Sequence, residues 1–323
     1  MNLSSVDARL STLQRQLTSR STARIALETL TFDVLHVIGL VGNSLVLWIV
    51  NKKRHQRKTI NLFVGALAVS DLLLIVNLAC FSSPSVVLGK WPFSGFFCQF
   101  HGLCIALLAS ASLLLMAVTA VNRYLQVVHA NYYRRLFTRK RTKLFIYGTW
   151  ALASISPIQY LASGELYFFN PGKLFCFQGP DLNPNTLFVY ISGGTSMFVV
   201  LLCYQKIFQT IRNHQGRVTA MQQNTNPING PNIQDIKITR TLFLTVVGFV
   251  CCWTPILIID FIDLARGTFS FPRELYLFYS WLGALSSVIN PFIYGVMNPM
   301  FREEFKRIYL RVRCIDSSQV EVF

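Results

Sequence analysis

A chain of 323 residues that is 52% hydrophobic, only 14% charged and of mean hydropathy +0.43 is too apolar for an ordinary soluble domain. Its net charge of +16 does not point to nucleic acid, because the basic residues flank apolar stretches where anionic inner-leaflet lipid is expected. A soluble nucleic-acid binder is excluded; an integral membrane protein remains.

In chain order, residues 1–27 are polar, carry Arg9, Arg15, Arg20 and Arg24, and read as an N-terminal tail. Asn2-Leu3-Ser4 is a glycosylation sequon within it. No cleavable signal is expected there, so the first span is read as its own membrane signal. Seven apolar stretches follow, at about 30–50, 61–83, 99–121, 144–162, 186–208, 241–262 and 275–297. Each suffices to cross ~30 Å of hydrocarbon at ~1.5 Å per helical residue. Lys and Arg number 22 in the first, third and fifth gaps and the C-terminal segment, against 4 in the other gaps. The positive-inside rule then puts the N-terminus outside the plasma membrane and the C-terminus in the cytoplasm.

The run 222–232, rich in Gln, Asn and Pro, reads as a loop before the sixth span. Beyond the seventh, Phe301, Phe305, Ile308 and Val312 recur at helical spacing, opposed by Arg302, Lys306, Arg307 and Arg311. This predicts an amphipathic helix on the membrane surface, with Cys314 placed for palmitoylation. The expected organisation is an extracellular tail over 1–27, an all-α seven-span bundle over 28–298, the surface helix over 299–313 and a short tail over 314–323. Cys80, Cys104, Cys203, Cys251 and Cys252 fall inside spans and read as small buried apolar residues. Only Cys98 and Cys176 face the oxidising exterior, which predicts a disulfide between them.

Polar residues inside the spans are informative, since each is costly in lipid. The first span carries Gly42-Asn43 and the second Leu67-Ala68-Val69-Ser70-Asp71. The third ends in Asn122-Arg123-Tyr124, and the fourth holds Trp150. The sixth has Phe249 ahead of Cys252-Trp253-Thr254-Pro255, and the seventh Asn290-Pro291-Phe292-Ile293-Tyr294. In this order and at these depths, over about 30–313, the strings resemble the class A (rhodopsin-like) G-protein-coupled receptors. The Asn-Arg-Tyr form is shared with melatonin receptors. Cys98 and Arg123 lie 25 residues apart, or ~37 Å of helix, which agrees with opposite ends of one long third helix.

The resemblance implies roles. Arg123 would be the switch released toward a heterotrimeric G protein, Trp253 the rotamer toggle beneath the ligand, and Phe249 its relay. Pro255 and Pro291 would kink their helices, since each removes a backbone donor. Tyr204 and Tyr294 would stabilise the open state. Asp71, Ser112 and Asn290, with Asn43 nearby, match the family's sodium pocket. Asn122 replaces the usual acid beside the arginine, which leaves Asp235 to hold Arg123 across the gap. Ser196 stands where most members carry a proline, putting the fifth helix's usual bulge in doubt. Ala130-Asn131 replaces the common hydrophobic contact to the G protein, which Tyr132 or Tyr133 would have to supply. Arrestin, a receptor kinase and membrane lipids are the further partners implied.

The aminergic aspartate's position is Ile105, and the opsins' retinal-bearing lysine is Ala284; both readings are disfavoured, and no covalent cofactor is expected. The pocket positions implied are Ile105, Ala106, Ala109, Phe188, Ser192, Trp253, Ile256, Leu257, Tyr276 and Ser280, with Phe177 and Gln178 as a lid. Largely apolar, they suit an uncharged lipophilic or indole-like ligand. Asp260 is the exception, set either to meet a cationic group or to pair with Arg266 or Arg273. A peptide ligand or ligand-independent signalling is the alternative within the fold. A transporter would show repeats or several intramembrane charges, and an intramembrane enzyme would need paired catalytic groups at one depth; neither pattern is present.

Overall fold

Each of the seven apolar stretches becomes a helix in the computed structural model, which describes residues 3–52, 59–221, 233–297, 301–308 and 310; the side chains of 3, 4, 214–242, 245 and 297 fall outside the description. The helices are α1 (Leu3–Thr18), α2 (Thr22–Lys52), α3 (Thr59–Leu88), α4 (Gly95–Val128), α5 (Ala130–Leu136), α6 (Arg139–Ala162), α7 (Pro184–Met221), α8 (Ile233–Arg266) and α9 (Arg273–Met297). Residues 301–308 are helical as well. On length and composition alone, α2, α3, α4, α7 and α8 qualify as membrane spans. The remaining two expected spans are weaker: α6 opens on Arg139, Lys140, Arg141 and Lys143, and α9 is diluted by Ser, Tyr and Asn.

The bundle carries large apolar side chains on its outer surface and buries polar ones within its core. Leu73, Ile155, Phe198, Ile258 and Phe292 point outward, while Asp71, Asn122 and Asn290 are almost fully buried. Such a distribution is stable only against hydrocarbon. It also corrects two of the cysteines: Cys80 and Cys251 sit on the outer flank rather than in the core. A thiol is apolar enough for that face.

One end of the bundle is closed by the segment between α6 and α7. Strands β1 (Phe168–Asn170) and β2 (Phe175–Phe177) form an antiparallel hairpin in which Phe169 faces Cys176. Cys176 is bonded to Cys98 in α4, with the two Cα atoms 5.5 Å apart, so the expected disulfide is present. At the turn, Gly172 leaves no room for a side chain: a Cβ there would lie 2.7 Å from the Tyr276 ring.

Across the same end lies α1, within the stretch that reads as a polar tail. Val6, Leu13 and Leu17 are buried. Arg9 donates to the carbonyls of Phe269 (2.9 Å) and Phe271 (2.6 Å), and Gln14 to that of Gly89 (2.7 Å). Arg20 reaches Glu28 at 2.6 Å and the Val86 carbonyl at 2.6 Å, and Arg273 of α9 pairs with the same Glu28. At the other end, Phe301 packs on Tyr294 with ring centroids 5.6 Å apart, and Glu304 accepts from Lys52 at 2.8 Å, fastening 301–308 to α2 and α9. Asn2 and Cys314, with the modifications read for them, lie outside the described residues.

Candidate functional site

Beneath the hairpin the helices line a cavity of about 110 Å³. Its wall includes Ile105, Ala106 and Ala109 of α4, Trp253, Ile256, Leu257 and Asp260 of α8, Ser280 and Ala284 of α9, and Phe177 and Gln178 from the hairpin side. Phe188, Ser192 and Tyr276, expected there, are not in the wall. On α7 the wall residues are Val189, Tyr190 and Gly193, one position later. The reason is local: α7 runs as unbroken α-helix through Ser196, so positions carried over from a bulged helix are out of phase by one residue. The Ser192 hydroxyl bonds its own helix at the Val189 carbonyl, 3.0 Å away. Tyr276 turns instead to Asp263, donating to its carboxylate at 2.8 Å.

The two charged side chains in the wall neutralise one another. Asp260 pairs with Lys173 of the hairpin turn at 2.6 Å, rather than with Arg266 or Arg273, and accepts from the Tyr279 hydroxyl at 2.8 Å. Arg273 is committed to Glu28. Lys173, Tyr279, Tyr190 and Phe175 are wall residues that sequence reasoning missed. The signal available was thin: Lys173 is a lone basic residue three positions before the disulfide cysteine.

Deeper, Trp253 forms part of the floor, and its ring lies 5.6 Å from that of Phe249 one turn below. Asn290 donates to Asp71 at 2.9 Å, and Asn43 donates to the Ser287 carbonyl at 3.0 Å. The Asn290 Oδ1 and Ser112 Oγ atoms are buried with no protein partner among the described residues. The Asn290 Oδ1 thus belongs to the same amide that meets Asp71. Below them Tyr204 and Tyr294 share the wall of a small apolar cavity with Phe63 and Met116.

At the far end Arg123 is buried and donates to Gln126 at 2.7 Å, and Asn122 beside it is fully buried. The Asp235 side chain lies outside the described residues. Tyr124 meets His129 at 3.2 Å. Tyr133 is held inward, its hydroxyl 2.6 Å from that of Thr59, whereas Tyr132 is exposed. Pro255 and Pro291 are both interior to their helices.

Residues 42–294 match the family described as 7 transmembrane receptor (rhodopsin family). The chain belongs to that family. The sheep (Ovis aries) melatonin receptor type 1A is 28% identical over 279 residues, covering 84% of this chain and 74% of the receptor. The Drosophila melanogaster tachykinin-like peptides receptor 86C is 24% identical over 294 residues, covering 86% of this chain and 57% of that receptor. The crystal structure of squid rhodopsin superposes with a TM-score of 0.77 at 19% identity, over 89% of this chain and 81% of that one, a likeness of fold. The protein is therefore a multi-pass plasma-membrane receptor of the G-protein-coupled class and not an enzyme.

Proposed function

We propose that this receptor, with its N-terminus extracellular, binds an uncharged lipophilic or indole-like small molecule in the cavity beneath the hairpin and signals to a heterotrimeric G protein. The observation that carries this reading is the cavity wall: apolar across most of its surface, floored by Trp253, with its one carboxylate already matched by Lys173. A ligand seated there presses on Trp253, which Phe249 couples to the lower half of α8. Pro255 interrupts the backbone hydrogen bonding between the two halves and supplies the hinge for an outward swing. Arg123, Tyr204 and Tyr294 then meet the G protein, with Tyr132 an exposed aromatic of α5. Arrestin, a receptor kinase and inner-leaflet lipid are the remaining partners of this reading, and Ala284 offers no amine for retinal.

One panel tests it. Cells expressing the receptor are read for cAMP and calcium against indoles, lipids and short peptides. An indole or lipid should evoke a response that Trp253→Ala abolishes; responses confined to peptides, or unchanged by Trp253→Ala, overturn the reading. Sodium is proposed to bind at Asp71 with Ser112 and Asn290 as further oxygen donors. There it would stabilise the ligand-free arrangement. Agonist affinity should then fall several-fold as sodium replaces a bulky organic cation, and Asp71→Asn should remove that dependence. Equal salt responses in the two receptors would rule out the ion.

A further inference from the structure

The ligand cavity is one in which a cation is already seated. The Lys173 side chain is 1% exposed, and its ammonium stands 2.6 Å from Asp260. It also lies 4.0 Å from the Phe177 ring centroid and 4.4 Å from that of Tyr279, two aromatic faces close enough for cation–π attraction. Tyr279 closes the arrangement by donating its hydroxyl to the second oxygen of Asp260 at 2.8 Å. A carboxylate and two ring faces around one nitrogen form the kind of cage that recognises organic ammonium ions.

The lysine is delivered there by the backbone. Asn170 Oδ1 accepts from the Gly172 and Lys173 amides at 2.9 and 3.1 Å, and the Lys173 carbonyl accepts from Ser280 at 2.5 Å. Leu174 takes φ 64°, a left-handed conformation that non-glycine residues avoid unless the surroundings impose it. The turn is thus held in a form that aims Lys173 into the bundle, and the disulfide at Cys176 holds the strand that follows it.

We propose that Asp260, Phe177 and Tyr279 form an ammonium-binding cage occupied by the chain's own Lys173, and that Lys173 thereby determines specificity by keeping amine ligands out of the cavity. The proposal rests on the reading of this cavity as the ligand site and deepens it. With Lys173 present the cage is filled, its charge is cancelled, and neutral apolar ligands are favoured. Without it, a buried carboxylate is left facing two rings, and a small ammonium ion is the complementary guest.

The test uses the purified full-length receptor and n-propylammonium, which reproduces what Lys173→Ala deletes beyond Cβ. The unfolding midpoint of Lys173→Ala should rise by at least about 3 °C with propylammonium and not with n-propanol. Wild type should not respond, and Lys173→Ala/Asp260→Asn should lose the response. An equal effect on wild type, or none on Lys173→Ala, overturns the proposal. Stabilisation of wild type by butyrate also overturns it, since Lys173 would then be offered to a carboxylate. If Lys173→Ala does not reach the membrane, Lys173→Ser, which vacates nearly the same volume, is assayed by surface yield in cells grown with propylammonium, and no gain over propanol counts against the cage. Because the readout is unfolding and not signalling, a silent agonist panel with a positive result here would sink the signalling reading and leave the cage standing.

Discussion

Replacing Cys98 or Cys176 by serine is expected to remove most of the receptor from the cell surface. The bond closes a loop of 78 residues, and opening a native loop of that order costs about 2–5 kcal/mol, a large share of a typical domain's stability. The loss is local as well. The hairpin held by Cys176 carries Lys173, Phe177 and Gln178 over the cavity, so any receptor that escapes quality control should bind ligand weakly. Flow cytometry on an N-terminally tagged receptor measures the first effect and saturation binding the second. Wild-type surface counts in both single variants would show that the packing of Tyr167 and Phe169 against α4 and its neighbours suffices without the bond.

The second large effect is expected at Glu28. Its carboxylate is 3% exposed and lies between the buried guanidinium groups of Arg20 and Arg273, each with a side chain 0% exposed. Removing the acid strands two cations away from water, and breaking a buried pair in this way typically costs about 3–5 kcal/mol. Glu28→Ala should therefore lower the unfolding midpoint by many degrees in detergent. Arg24 supplies the control: it contacts Glu28 at 3.6 Å but is half exposed, so Arg24→Ala should cost no more than about 1 kcal/mol. Similar midpoints for Glu28→Ala and Arg24→Ala would show that the triad is solvated and carries little.

The seven spans were legible because length and apolarity suffice to define them, and the cysteine pair was legible because the inferred topology left two outward thiols. The polar strings at Asp71, Arg123, Trp253 and Asn290 marked the interior for the same physical reason: each is costly unless buried among protein groups. What escaped was what depends on partners distant in sequence. Nothing in the string Lys173-Leu174-Phe175 says that its amine meets Asp260, 87 residues on. The phase of α7 was misjudged because its register was taken from a bulged helix while Ser196 permits a straight one. The helix α1 was hidden by its own composition. Val6, Leu10, Leu13 and Leu17 do recur at helical spacing, but sixteen residues with so thin a stripe read as a polar tail until a surface for them exists.

That last feature has a consequence for biosynthesis. The acceptors of Arg9 lie 260 and 262 residues further along the chain, and the second arginine on Glu28 lies 245 residues beyond it. The seat of α1, which Gly89 and Val86 supply in part, is therefore complete only once Phe269 and Phe271 have been made. At ribosomal speeds of roughly 5–20 residues per second that seat stays incomplete for on the order of tens of seconds. Docking of α1 is then completed late in assembly, and a nascent chain halted before Phe269 would lack the two carbonyls that hold Arg9.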